Sequence, residues 1–361
     1  MTGGGYTFLM KFANGKVTVA GDTAVAAPTE RATSSYTVDR SMGPVLSFNT
    51  YNDIFHFLGE PTYGEIEGEQ GDWEFVITKL TEDSIFVKGK KWENEMVFTR
   101  MADGVDWTSY LDSIADVQKR LGVNYSVGNS SDASKMVEIN SATRRILSRT
   151  ADGQVVEQPF YVTPTGIHAV NEPVALGEDK AQDFLVSKAG VMTAKDNEAL
   201  TLNSYAPGID TWVGEWTLSA MEGSCDMTIS KVEDQENMLQ GTFTTGGYTY
   251  NIGLSFNPET GALNLPSQLI EDPTGRYPAL WLMNADLNQG TLLGQGGMNV
   301  VWHGVSQEGD FEDDGTLASE GYASDSFIAL ACTSDGEIIK ENNQYVFVLE
   351  WYFLSNLTPN K

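Results

Sequence analysis

Residues 71–100 read GDWEFVITKLTEDSIFVKGKKWENEMVFTR. Three runs within them, WEFVITKL, SIFVKGK and EMVFTR, alternate apolar with polar residues and are rich in β-branched and aromatic types. A period of two places every second side chain on one face of a pleated strand, and the polar TEDS between the first two runs has turn composition. The stretch therefore predicts consecutive antiparallel strands.

The same rhythm extends in both directions. YTFLMKF, KVTVAG, SYTVDR and VLSFN precede it, with ANGK as a turn between the first two. SKMVEIN, TRRILSRT, VVEQPFYVT, AQDFLVSK and VMTAKD follow. Short strands at this spacing predict a sandwich or a closed barrel, where closure removes exposed edges. One segment departs from the pattern. In DWTSYLDSIADVQKRLG, residues 106–122, the apolar Trp107, Tyr110, Leu111, Ile114, Val117 and Leu121 follow helical spacing, with Asp106 placed to cap and Gly122 to stop. YNDIFHFL, residues 51–58, predicts a second, shorter helix with Ile54, Phe57 and Leu58 on one side.

At 361 residues the chain exceeds one ordinary core, and about 150 residues per domain suggests two. The turn-rich NSYAPGID, residues 203–210, reads as the linker. The fold expected is mainly β, with two antiparallel lipocalin- or calycin-like barrels. The first covers 1–205 with the helix at 106–121, and the second covers 206–361. GEWTLS, DMTISKV, LQGTFTT, YTYNIGLSF, ALNLP, NVVWHGV, SFIALACT and YVFVLEWYFL supply about eight strands for the second, enough for a small barrel. The two parts echo each other, GDWEFVI against GEWTLS and GGYTFLMKFANGKVTV against GGYTYNIGLSFNPETGALNL.

Charge narrows the partners. Against 22 basic residues stand 50 acidic ones, a net charge of −28, which opposes binding to a polyphosphate backbone or to an anionic membrane surface. From Asp210 onward 4 basic face 22 acidic residues, so most of the excess lies in the second part. No segment approaches the roughly 18 consecutive apolar residues of a membrane span. Cys225 and Cys332 are open to two readings, a disulfide or two free thiols, and neither has the close Cys or His neighbours of a zinc site. The first strand is already under way at GGGYTFLMKF, so an upstream segment is expected.

GGGYTFLMKF, GPVLSFNTYNDIFHFL, GDWEFVITK and DSIFVKGKKWENEMVF resemble an uncharacterised family of Bacteroidetes lipoproteins built on a domain of unknown function. The resemblance is closest over the first hundred or so residues. It implies an outer-membrane lipoprotein of the cell envelope, anchored by a lipid upstream, of a kind often encoded beside starch-utilisation-type uptake pairs. It brings no catalytic residues. Gly71-x-Trp73 and Gly214-x-Trp216 are also similar to the lipocalin opening strand, in which Trp plugs the barrel floor. YVFVLEWYFL departs from that pattern in carrying no basic residue over the Trp.

Hydrolytic and phosphate-binding signatures are missing: no Gly-x-Ser-x-Gly, no Ser-x-x-Lys, no His-Glu-x-x-His and no Gly-Lys-Ser/Thr loop. His56, His168 and His303 lie far apart and read as surface or satisfied histidines. Asp310, Glu312 and Asp314 followed by Gly315 match half a calcium loop, but the twelfth position is Gly321, so a solvated acidic hairpin is the reading. Lys88, Lys90 and Lys91 read as solvated edge protection. No cofactor and no metal are expected.

The aromatic stretch from Phe48 to Phe75 carries seven carboxylates as well. Its rings read either as a lid packed over the first barrel or as a platform on which a sugar stacks. The lid is favoured. Tyr51 and Tyr63 are the ligand candidates, with Trp73 buried beneath as the plug. The leading expectation is a non-enzymatic envelope module that assists glycan or nutrient uptake. A structural or interaction lipoprotein and a carboxylate-pair glycosidase are the alternatives.

Overall fold

The computed structural model describes residues 4–40, 43–61, 66–221 and 223–360. The chain divides into two compact units, residues 1–204 and 205–361.

The first unit contains two sheets. Seven strands, β1 (Phe8–Ala13), β2 (Lys16–Gly21), β3 (Ala32–Asp39), β4 (Val45–Phe48), β5 (Glu74–Leu80), β6 (Ser84–Gly89) and β7 (Glu95–Thr99), form an antiparallel meander paired in sequence order. All seven alternating runs at the start of the chain are strands. They do not join the strands that follow. Each neighbour in a meander reverses direction, so β1 and β7 run the same way, and the antiparallel ladder cannot close across them. The sheet stays open there, with the Phe12 and Phe98 rings 6.1 Å apart. Val17, Val19, Leu46, Phe48, Phe75 and Val87 form its core with Ile54 and Phe55 from the connection after β4.

Helix α1 (Trp107–Gln118) then leads into a closed eight-stranded barrel spanning Asn124 to Ser204. The Asp106 side chain caps α1 by accepting the Ser109 N–H at 2.7 Å. The helix stops a turn short of Gly122, whose N–H is taken by the Tyr125 hydroxyl at 2.8 Å. Leu111, Ile114 and Val117 are fully buried with Tyr125, Ile146, Phe160 and Phe184, so the barrel interior is filled with side chains. A buried ion pair ties the two sheets: Arg144, in a barrel turn, donates to both oxygens of Asp22, at 2.6 and 2.9 Å, with Gln118 of α1 adding a third bond. The antiparallel barrel expected in the first unit is thus present over residues 124–204, and an open seven-stranded sheet precedes it.

The second unit holds another closed barrel of eight antiparallel strands, beginning with Gly214–Ala220. Six of the eight runs expected to build it do so. SFIALACT and YVFVLEWYFL instead enter a separate five-stranded sheet, and Glu308–Asp313 and Asn356–Pro359 take the remaining barrel places. Burial explains the exchange. Every residue of Ser326–Cys332 is buried, as in a strand covered on both faces, whereas a barrel strand alternates. Trp212, Trp216 and Trp302 pack together inside the barrel, and the Trp212 and Trp216 N–H groups donate to the Gly261 and Trp212 carbonyls, each at 2.8 Å. Cys225 and Cys332 are free thiols, the first half-buried on a barrel strand and the second buried in the five-stranded sheet.

Candidate functional site

The connection from β4 to β5 turns on Asn52. This residue is buried, and its side-chain oxygen accepts the Phe55 N–H at 3.1 Å while its amide nitrogen donates to Ser34 Oγ at 3.2 Å. Its carbonyl accepts the His56 N–H at 2.9 Å, which winds residues 56–59 into a single 3₁₀ turn. This turn replaces the short α-helix expected over YNDIFHFL. Phe55 is the ring driven into the core, 4.3 Å from Phe48 and 5.2 Å from Phe8. Leu58 is buried as expected, while Phe57 is only half-buried and meets Tyr6 edge-on.

On the other side of the turn Tyr51 and His56 stack nearly parallel, 5.3 Å apart and tilted by 22°. Trp73 completes the row, 5.7 Å from the imidazole. Tyr51 is 57% exposed and Trp73 42% exposed, so these rings face solvent. Together with the edge of Phe48 and with Gly59 and Glu60 they line a depression of about 310 Å³. Gly59 is required here: a Cβ on it would lie 2.8 Å from the Trp73 ring. The aromatic stretch that begins at Phe48 therefore serves both purposes, with Phe48 and Phe55 as core and Tyr51 and Trp73 as surface.

Trp73 corrects the expectation of a buried plug. It precedes the paired part of β5, where only its carbonyl is engaged, by the Phe48 N–H at 3.0 Å. Its neighbour Asp72 turns inward instead. The Asp72 carboxylate accepts the N–H groups of Lys91, Trp92 and Asn94 at 2.9, 3.1 and 3.3 Å, and the Asn94 amide at 2.9 Å. It lies against Gly89, where any side chain would overlap it. The inward aspartate turns the next residue, Trp73, outward.

The imidazole of His56 is fixed as well. In the neutral ring Nδ1 accepts the Asn52 N–H at 2.9 Å with the proton on Nε2, and the Asn52 carbonyl oxygen, 3.2 Å away, stands ready to accept from Nδ1 once it is protonated. Partial burial lowers its pKa below the ordinary histidine value, against an opposing pull from the Asn52 backbone. Among the described residues Nε2 has no protein acceptor, and the Glu60 carboxylate has no donor. The depression thus offers two solvent-facing rings with their hydroxyl and indole N–H, the imidazole N–H and one carboxylate acceptor.

Of the two predicted ligand residues, Tyr51 lies in the depression and Tyr63 lies outside the described residues. Trp73 is the ring that the sequence pattern misplaced, and His56, read as a surface or satisfied histidine, is satisfied by Asn52 and lines the depression as well. Only the inward catch on Asp72 separates Trp73 from a core Trp, and that catch is made by residues about twenty positions away.

The remaining candidates stay apart. His168 Nδ1 is 3.0 Å from Asp183 and its ring packs on Tyr161, while His303 is 3.3 Å from Asp310. The acidic stretch at Asp310 forms a hairpin with Gly297–His303, and two of its carboxylates are turned onto the backbone, Asp313 accepting the Gly315 and Ser324 N–H groups and Asp314 that of Thr316. No cluster of His, Cys, Asp or Glu suited to a metal ion occurs among the described residues. Lys88 pairs with Glu93 and Lys90 with Glu74 at the exposed β6–β7 turn, and Lys91 lies over the Trp92 ring. No helix among the described residues is long and apolar enough to cross a membrane.

No curated protein and no solved structure matches this chain. One family profile does, over residues 1–188, a span that contains the open sheet, α1 and the greater part of the first barrel. On that match the chain belongs to the family described as a domain of unknown function, DUF4302.

Proposed function

We propose that this chain is a non-enzymatic saccharide-binding module of the cell envelope and that its site is the Tyr51–His56–Trp73 depression. The observation that carries the reading is the exposure of Tyr51 and Trp73 around a rigidly held histidine. Exposed rings in a row are costly to hydrate and fit the apolar C–H face of a pyranose, while the His56 N–H and the Glu60 carboxylate match its hydroxyls. The envelope placement and the lipid anchor rest on the resemblance to envelope lipoproteins, and uptake proteins of the outer membrane are the partners that go with it.

Titration calorimetry against a panel of neutral and acidic oligosaccharides tests the site. At least one member is expected to bind, and Tyr51→Ala or Trp73→Ala should weaken that binding by about tenfold or more, or 1.4 kcal/mol. Binding that survives both changes would move the site elsewhere. Radiolabelled-lipid incorporation into the full-length protein in its own cells tests the anchor.

A second reading, an interaction module without small ligand, draws on a different observation. Strands β1 and β7 each have a hydrogen-bonded neighbour on one side only, and such edges accept strands from other chains. Crosslinking from the edge positions Lys11 and Glu95 to a protein partner in cells, with no saccharide bound in the panel, would favour it.

A further inference from the structure

We propose that the Tyr51–His56–Trp73 depression selects neutral saccharides and rejects acidic ones; this rests on the saccharide-binding reading above and adds the class of sugar. The argument is an inventory of the polar groups that line it. Asn49 is committed to Thr37, with its side-chain oxygen and nitrogen 3.2 and 3.1 Å from the Thr37 hydroxyl. Thr50 Oγ1 accepts the Ser35 N–H at 2.8 Å. The side-chain groups that remain for a ligand are the His56 Nε2–H, the exposed Glu60 carboxylate, the Tyr51 hydroxyl and the Trp73 indole N–H, none of them a cation.

A uronic or sialic acid needs a cation, best an arginine fork, to recover what its carboxylate loses on leaving water. The lining contains neither Lys nor Arg. Six cations of the same sheet and its connections are engaged elsewhere: Lys90 with Glu74, Lys88 with Glu93, Lys91 on the Trp92 ring, Lys79 on the Phe86 ring, Lys16 on Ser35 Oγ, and Arg31 on Thr108 and over Trp107. An acidic sugar would instead meet Glu60 at close range, in the field of a chain with a net charge of −28. A neutral sugar meets no such opposition. Its hydroxyls donate to Glu60 and accept from His56 while its ring face covers Tyr51 and Trp73.

The test is calorimetry on the whole chain at low and physiological ionic strength. The probes are maltohexaose, cellohexaose, xylohexaose and mannohexaose against hexagalacturonate and an oligoguluronate of equal length. At least one neutral probe should bind, with a dependence on Tyr51 and Trp73, and the acidic probes should bind at least about tenfold more weakly than it. Glu60→Lys should raise the affinity for the acidic probes about threefold or more at low salt, with the gain lost at high salt, and weaken neutral binding about threefold or more at either salt, because it removes the acceptor for the sugar hydroxyls. Circular dichroism and melting of that variant confirm that it folds. If acidic probes bind wild type as tightly as neutral ones and still need Trp73, the selectivity is wrong while the saccharide site stands. If no probe depends on Tyr51 or Trp73, both fall together.

Discussion

Two Gly-acid-Trp segments open strands in this chain, Gly71–Asp72–Trp73 ahead of β5 and Gly214–Glu215–Trp216 in the C-terminal barrel. In the first the acid is buried and the indole faces solvent. In the second the indole is 3% exposed and the acid points out, accepting the Thr228 hydroxyl at 3.0 Å. The same three-residue pattern therefore sits in opposite phases. Trp216 lies inside a paired ladder, opposite Met227 on one side and Pro359 on the other, so the alternation of the strand fixes its side together with Leu218. Trp73 lies one residue before the ladder begins at Glu74. Outside the ladder nothing enforces parity, and four hydrogen-bond donors converging on Asp72 decide instead. A strand-like motif takes its facing from whichever side chain first finds a partner, and a phase flip turns a core ring into a surface ring.

The largest expected effect tests the ladder-fixed member. Trp216→Ala should cost about 3–5 kcal/mol in urea unfolding, as truncation of a buried aromatic does, while Trp73→Ala should cost no more than about 1 kcal/mol. Equal losses at the two positions would mean that both indoles are core and that the first motif has been assigned to the wrong phase.

Next in size is the acid. Asp72→Ala strips the acceptor from three backbone N–H groups and one side-chain amide, two of the four buried, and should cost about 2–4 kcal/mol. Gly89→Ala should act through the same contact, since its Cβ would overlap the carboxylate. Glu215→Ala, at an exposed position, should stay within about 0.5 kcal/mol. If Asp72→Ala is silent, the inward acid is not what turns Trp73 outward.

Much of this fold was legible because strand periodicity is local. Every alternating run between Tyr6 and Arg100 contains a strand, and the helical spacing at Trp107–Val117 marked α1 and its Asp106 cap. Closure was not legible. Whether seven strands stay open or an eighth completes a barrel depends on directions and registers set across the whole sheet, which no window of residues carries. The exchange of Ser326–Cys332 for Glu308–Asp313 in the second barrel has the same origin, since an acidic hairpin strand looks like a loop until its partners are known. At the site, Tyr51 could be found because it stands beside a turn rich in polar residues. His56 could not, because its role comes from a bond to Asn52 four residues earlier and from ring contacts on both sides.

The smallest expected effect concerns that histidine, which separates the outward motif from the inward one by its sensitivity to pH. In the folded chain the pKa of His56 lies below 6.5, chiefly through burial, and its Nδ1 accepts the Asn52 N–H only while neutral. Above pH 6.5 the ring is neutral in both folded and unfolded chains, so its contribution to stability is fully present. As pH falls below that value the unfolded chain binds a proton that the folded chain resists, and stability drops until the folded pKa has been passed. His56→Gln keeps an acceptor near Asn52 but cannot titrate. The difference in melting temperature between wild type and His56→Gln should therefore shift against wild type between about pH 7 and pH 5, by roughly one or two degrees. Subtracting the variant cancels the carboxylates, Glu60 included, that titrate in the lower part of this range. Saccharide binding should weaken over the same interval in wild type, because protonation exchanges the Asn52 N–H for the Asn52 carbonyl as the Nδ1 partner and shifts the ring between Tyr51 and Trp73. Trp216, packed on Trp212 and Trp302, should keep its fluorescence maximum throughout, whereas that of Trp73, 5.7 Å from the imidazole, should move. A difference curve flat from pH 7 to pH 5 would mean that the imidazole is held by ring packing alone.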